Sequence, residues 1–162
     1  GEAVQEGITA STPIGSGGVG SYTLAIPAGL SPGNDYRVRI TSTSNASYTD
    51  TSDAPFTISE VPSIAMESPN GGENWTQGST QTLRWNYTGN PGSTVKIEAL
   101  RSGAFLATIA SSYPIGSDGE GSFNLTFPTY TPLGSDYQIR VTSTSYPACS
   151  DASDTTFEIV PP

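Results

Sequence analysis

A block of this chain occurs twice, 101 residues apart and without a gap. PIGSGGVGSYTLAIP at 13–27 returns as PIGSDGEGSFNLTFP at 114–128, and DYRVRITSTS at 35–44 returns as DYQIRVTSTS at 136–145. Because the chain has 162 residues, it holds one full copy of such a unit and only the later part of another. The repeat therefore predicts two beads of one fold, the first lacking its opening strands.

In the full copy, apolar and polar residues alternate through LRWNY at 83–87, VKIEAL at 95–100, SFNLTF at 122–127 and YQIRV at 137–141. Period two over such lengths marks strands with one buried face. Leu83, Trp85 and Tyr87, then Val95 and Ile97, then Phe123, Leu125 and Phe127, then Tyr137, Ile139 and Val141 form the expected core. Turn chemistry separates them at GNPGS, RSGA, GSDGEG and PLGSD. Eighteen Gly and 13 Pro, with abundant Ser, Thr and Asn, favour short strands and give little material for helices.

Seven strands are expected in the full copy, near 64–67, 80–87, 94–100, 105–110, 122–127, 137–143 and 156–160. The partial copy has counterparts of only the last four, at 4–10, 21–26, 36–43 and 55–59. The chain is thus read as all-β: two tandem immunoglobulin- or fibronectin III-like antiparallel sandwiches, one complete and one partial. Residues 1–59 are the later part of a sandwich whose first three strands are missing, 60–63 a short connector stiffened by Pro62, and 64–162 a complete sandwich. A start inside a domain and a stop at a domain boundary read as a cut from a longer array.

Two stretches carry a family resemblance. LSPGNDYRVRI at 30–40 resembles the fibronectin type III pattern in which a Pro-Gly turn leads to a Tyr at the start of the sixth strand. Such a Tyr packs its ring into the core and returns its hydroxyl to nearby backbone, which assigns that structural role to Tyr36 and Tyr137. SPNGGENWTQGSTQTLRW at 68–85, with GSTVKIEAL and GSDYQIRVTSTS, is similar to the repeat of the Ser/Thr-rich, GPI-anchored and yeast cell-wall beta-glucan synthesis-associated family, whose domains recur in tandem in archaeal and bacterial surface proteins. The resemblance implies an extracellular Ig-like repeat and no known catalytic residues.

The chemistry available agrees with a binding or structural role. There is no His, the one cysteine, Cys149, aligns with Tyr48 in the other copy, and the Gly-rich stretches lack a phosphate-binding pattern. No enzymatic activity and no cofactor are expected. Fifteen acidic residues against six scattered basic ones leave a net charge of −9, which argues against nucleic acid as a partner. No apolar run is long enough to insert in a membrane, and no leader precedes the first strand.

Asp50 and Asp53 recur as Asp151 and Asp154 before the last strand of each copy. Capping of turns is the plain use for them, and a Ca²⁺ site, which takes about six to eight oxygens, is the sharper one. Arg39 and Arg140 share an outward position where Glu98 can lie opposite as a surface pair of small value. Trp75 and Trp85 can be read as a sugar-stacking platform, although alternation turns Trp85 into the core and Trp75 is placed to plug one end of the sandwich. Asn45, Asn74, Asn86 and Asn124 head glycosylation sequons.

These features point to a non-enzymatic repeat of an extracellular or cell-surface filament, stalk or adhesin. Its expected partners are copies of itself or adjacent repeats in a fibre. The partial domain is completed either by upstream chain or by strands from a neighbouring subunit. The alternatives are a carbohydrate-binding, cell-wall-associated module that contacts surface glycans, and a spacer domain of a secreted enzyme.

Overall fold

The computed structural model describes residues 7–27 and 29–162, which form strands, turns and loops with no helix. The chain divides into two compact units, Gly1–Ser59 and Glu60–Pro162.

The described part of the N-terminal unit contains four short strands: β1 (Gly33–Tyr36), β2 (Arg39–Thr41), β3 (Thr49–Thr51) and β4 (Phe56–Ile58). They pair as two antiparallel ribbons, β1 with β4 and β2 with β3. The strand expected at 36–43 is therefore broken between β1 and β2, and residues 21–26 form no strand at all. Of the strand expected at 4–10, residues 4–6 lie outside the described residues and 7–10 form no strand. The physical reason lies in the other unit, where the counterparts of these segments form strands only by pairing with β7 and β8. Among the described residues of the N-terminal unit those two strands have no counterpart.

The C-terminal unit carries β5 (Ser63–Ser68), β6 (Asn74–Thr76), β7 (Thr80–Thr88), β8 (Thr94–Arg101), β9 (Ala104–Pro114), β10 (Glu120–Thr126), β11 (Gly134–Ser143), β12 (Ser150–Ala152) and β13 (Phe157–Val160). One sheet has the order β10-β7-β5, the other β6-β13-β11-β8-β9, with β12 also on β11. All pairs are antiparallel except β6 with β13. The seven expected strands are all present, and β6 and β12 are additions of three residues each.

Alternation decides what lies between the sheets. Leu83 and Trp85 from one sheet meet Val95, Ile97, Tyr137, Ile139, Val141, Phe157 and Ile159 from the other, all buried, with Phe123 and Leu125 packed against them. Trp75 is also buried and closes one end, its ring 4.7 Å from Phe157 and 5.6 Å from Phe127. Trp85 donates its indole N–H to the Ile115 carbonyl at 2.9 Å, so the largest core side chain leaves no polar group unpaired. Its cross-strand neighbour is Gly121. A Cβ there would lie 2.2 Å from the indole, so the strand must carry glycine where it passes the ring.

Candidate functional site

Four polar residues of the repeat have different surroundings in the two units. In the C-terminal unit Asp136 receives Arg101 through Nε at 3.0 Å and the Ser102 hydroxyl at 2.8 Å. The Ser102 hydroxyl and the Arg101 guanidinium hold the Asp136 carboxyl below its ordinary range. Arg101 also stacks 5.0 Å over the Tyr137 ring, tying the end of β8 to the start of β11. Arg140 lies directly across from Glu98 and donates from Nη2 to its carboxylate at 2.7 Å. Asp151 accepts the Met66 backbone N–H at 2.7 Å, and Asp154 exchanges two 2.8 Å hydrogen bonds with the Asn70 side chain. The carboxylates of Asp151 and Asp154 thus anchor β5 and the turn after it.

The Arg140–Glu98 pair differs from the expected surface contact. Alternation does place Glu98 outward, yet it is only 4% exposed, because Lys96 and Arg140 close over it with Lys96 Nζ 2.8 Å from the second oxygen. Burial works to raise this carboxyl, and the hydrogen bonds and charges of Lys96 and Arg140 outweigh it, holding the group below its ordinary value of 4.5. A carboxyl that ionises more readily folded than unfolded stabilises the fold above its unfolded pKa, and that contribution fades as pH falls through the lower, folded value. Glu98→Gln is expected to flatten the acid limb of a stability-versus-pH curve below about pH 4.5. Chemical denaturation at a series of pH values reads this directly, and an unchanged acid limb would contradict it.

Residues 33–58 rebuild the corresponding frame of the C-terminal unit. Gly33 and Tyr36 pair with Ile58 and Phe56 as Gly134 and Tyr137 pair with Ile159 and Phe157. Arg39, Ile40 and Thr41 pair with Thr51, Asp50 and Thr49 in the register of Arg140, Val141 and Thr142 on Ala152, Asp151 and Ser150. Tyr36 donates its hydroxyl to the Ser31 carbonyl at 2.6 Å, as Tyr137 does to Pro132 at 2.7 Å.

Against that shared frame, two differences stand out. The apolar face is open: Ile14 is 89% exposed where Ile115 is 5%, and Ile40 is 73% exposed where Val141 is fully buried. Tyr22, Ile26 and Phe56 are likewise exposed on the same unit. In addition, Asp35, Arg39, Asp50 and Asp53, the counterparts of Asp136, Arg140, Asp151 and Asp154, are exposed. Among the described residues their side chains have no hydrogen-bonding partner; the backbone carbonyl of Asp53 accepts Arg37. The partners used in the complete unit, Arg101, Ser102, Glu98, Met66 and Asn70, all belong to residues 64–102. This open apolar face, together with the edge beside it that carries Asp35, Arg39, Asp50 and Asp53, is the candidate site.

The other candidates fall into different places. Trp75 and Trp85 are both buried, so no tryptophan platform for sugars exists. The buried Cys149 thiol donates to the Pro62 carbonyl at 3.1 Å. Among the described residues no group of three His, Cys, Asp or Glu side chains is arranged to hold a metal ion. Asn124 is exposed with its side-chain oxygen on the Thr82 hydroxyl, Asn86 is half-buried against Glu67, Asn74 is exposed on β6, and Asn45 caps its own turn through the Ser47 N–H. A cleft beside Arg84, Tyr113, Asp118 and Glu120 offers polar groups but no nucleophile paired with a base. No described helix is long and apolar enough to cross a membrane.

Alternation and spacing made Asp151 and Asp154 visible but not their use, because their partners sit more than 80 residues away in sequence. The open face was legible only as three absent strands.

Residues 68–158 match the Kre9/KNH-like N-terminal Ig-like domain. No curated protein sequence matches the chain. Among solved structures it is similar to the titin domains Z1Z2 in complex with telethonin, at 20% identity over 61% of this chain and 47% of that one, with a TM-score of 0.34. It is similar also to the titin M10–obscurin-like 1 Ig complex, at 20% identity over 63% and 98% of the two chains with a TM-score of 0.36. A CARDB domain from Pyrococcus furiosus matches at 12% identity over 61% and 94%, with a TM-score of 0.33. The chain spans less than half the length of the titin Z1Z2 structure. Its fold rests on the sheet order and the family match rather than on these likenesses. Since the matched stretch is more than half of the chain and runs from the end of β5 into β13, the chain belongs to the family of Kre9/KNH-like N-terminal Ig-like domains.

Proposed function

We propose that this chain is a non-enzymatic structural segment of an extracellular or cell-surface polymer, a filament, stalk or adhesin built from tandem Ig-like units. The observation that carries the reading is the repetition of one frame, strand pair for strand pair, from 33–58 to 134–159. Repetition of a scaffold without a repeated catalytic group serves length and spacing rather than chemistry. The link of the family to the cell wall supports an extracellular place, as does an acidic chain with a single Lys.

In this reading residues 1–59 are the later part of a sandwich and residues 64–162 a whole one, and the first is completed by additional strands. Tyr36 and Tyr137 act as tyrosine corners that pin the crossover into their strands. Asn124, on an exposed outer strand position, is the foremost candidate for a glycan, ahead of Asn45, Asn74 and Asn86.

Electron microscopy of native material is expected to show filaments with an axial repeat of roughly 35–45 Å per sandwich. Intact mass is expected to exceed that of the polypeptide by the attached glycans. A compact particle the size of this chain alone would reject the polymer.

A further inference from the structure

We propose that the open face of the N-terminal unit is the docking surface for a segment with the sequence pattern of residues 60–103, which carries β5 to β8 in the complete unit, on the same polypeptide. The inference rests on the reading of the first unit as an incomplete sandwich and goes on to specify the occupant.

Four groups whose side chains have no hydrogen-bonding partner among the described residues define its chemistry. Asp35 calls for a cation at the end of the last incoming strand, where Arg101 serves Asp136. Arg39 calls for a carboxylate three residues earlier on that strand, where Glu98 serves Arg140. Asp50 calls for a free backbone N–H on the first incoming strand, where Met66 serves Asp151. Asp53 calls for a side-chain amide just beyond that strand, where Asn70 serves Asp154. The apolar centre, with Ile14, Ile40 and Phe56 exposed, calls for inward residues like Leu83, Trp85, Val95 and Ile97 between these polar points. An acid and a base at fixed separation, plus one N–H and one amide, distinguish this occupant from an arbitrary hydrophobic strand. Arg39 opposite a Lys, or Asp35 opposite a Glu, would instead repel.

Attachment on the same polypeptide follows from the junction. In the complete unit β8 hands over to β9 through the turn residues Ser102 and Gly103, both at positive φ. The 101-residue offset carries Ala104 onto Ala3 without a gap. In the sequence of the repeat, a strand in the place of β8 therefore ends two turn residues ahead of the position that Ala3 shares with Ala104. Covalent joining there needs no added loop and supplies the strands at high effective concentration.

The test is the full chain with a second copy of residues 60–103 joined ahead of Ala3, in place of Gly1 and Glu2. Backbone hydrogen exchange at 36–40 is expected to slow to the rate at 137–141, and binding of a hydrophobic dye to fall several-fold. Replacing the added copy's counterpart of Glu98 by Arg is expected to abolish that protection, and Arg39→Glu in the same chain to restore it. The C-terminal unit reports folding within each molecule. If it is protected while 36–40 stays unprotected, or if the charge swap changes nothing, the assigned occupant is wrong. Mass spectrometry of denatured native material tests the source: the pattern is expected on the same polypeptide, and its discovery on a separate one would overturn that part. These are measurements of folding and connectivity, so their failure leaves the filament reading to be judged by microscopy alone.

Discussion

Replacing Trp85 by alanine is expected to destabilise the C-terminal unit by about 3–5 kcal/mol, the range for emptying a large aromatic from a packed core. The indole is fully buried at the centre of the sandwich and sits directly opposite Gly121, so its cross-strand partner has no side chain with which to fill the space. Its loss also strips the Ile115 carbonyl of the N–H that satisfies it. Against a total stability of about 5–15 kcal/mol for a domain of this kind, the change removes a large share. Chemical denaturation followed through the remaining Trp75 gives the midpoint shift. Trp85→Phe keeps an apolar ring and is expected to cost less, and equal effects of the two substitutions would show that packing at this position is not what matters. A midpoint within about 1 kcal/mol of the parent chain would contradict the assignment of Trp85 as the centre of the core.

Much of this core was legible because a strand imposes a period of two on its side chains. LRWNY, VKIEAL, SFNLTF and YQIRV each direct alternate residues inward, and Leu83, Trp85, Val95, Ile97, Ile139 and Val141 are found between the sheets. β6 and β12 escaped because three residues are too few to show a period, and NWT and SDA become strands only through partners on β13 and β11. Glu98 was placed on the correct face with the wrong environment. Alternation tells which way a side chain leaves the strand but not that the stems of Lys96 and Arg140 will cover it.

The N-terminal unit shows the opposite case, in which sequence pattern promised more structure than the chain can form. SYTLAI at 21–26 aligns with a strand and alternates as one does, yet it stays irregular, because its counterpart in β10 is held by β7. Pattern supplies a face, whereas a strand needs a neighbour for its backbone N–H and C=O groups. Asp50 and Asp53 make the same point for side chains. Their recurrence signalled a shared purpose, and the purpose appears only where β5 and Asn70 are present to be held.

The central claim is that one frame occurs twice, closed by β5 to β8 in one copy and left open among the described residues of the other. Hydrogen exchange on the 162-residue chain, compared between 36–40 and 137–141, tests it most directly. β11 is flanked by β8, β12 and β13 over a buried face, so its amides open only with the whole unit. β1 and β2 each sit in a two-stranded ribbon over an exposed face, an arrangement with marginal stability of its own. The account predicts exchange at 137–141 slower by at least about a hundredfold, a gap of roughly 3 kcal/mol in opening free energy. Equal protection at the two sites would contradict it, since the N-terminal unit would then be closed without the strands it is held to lack.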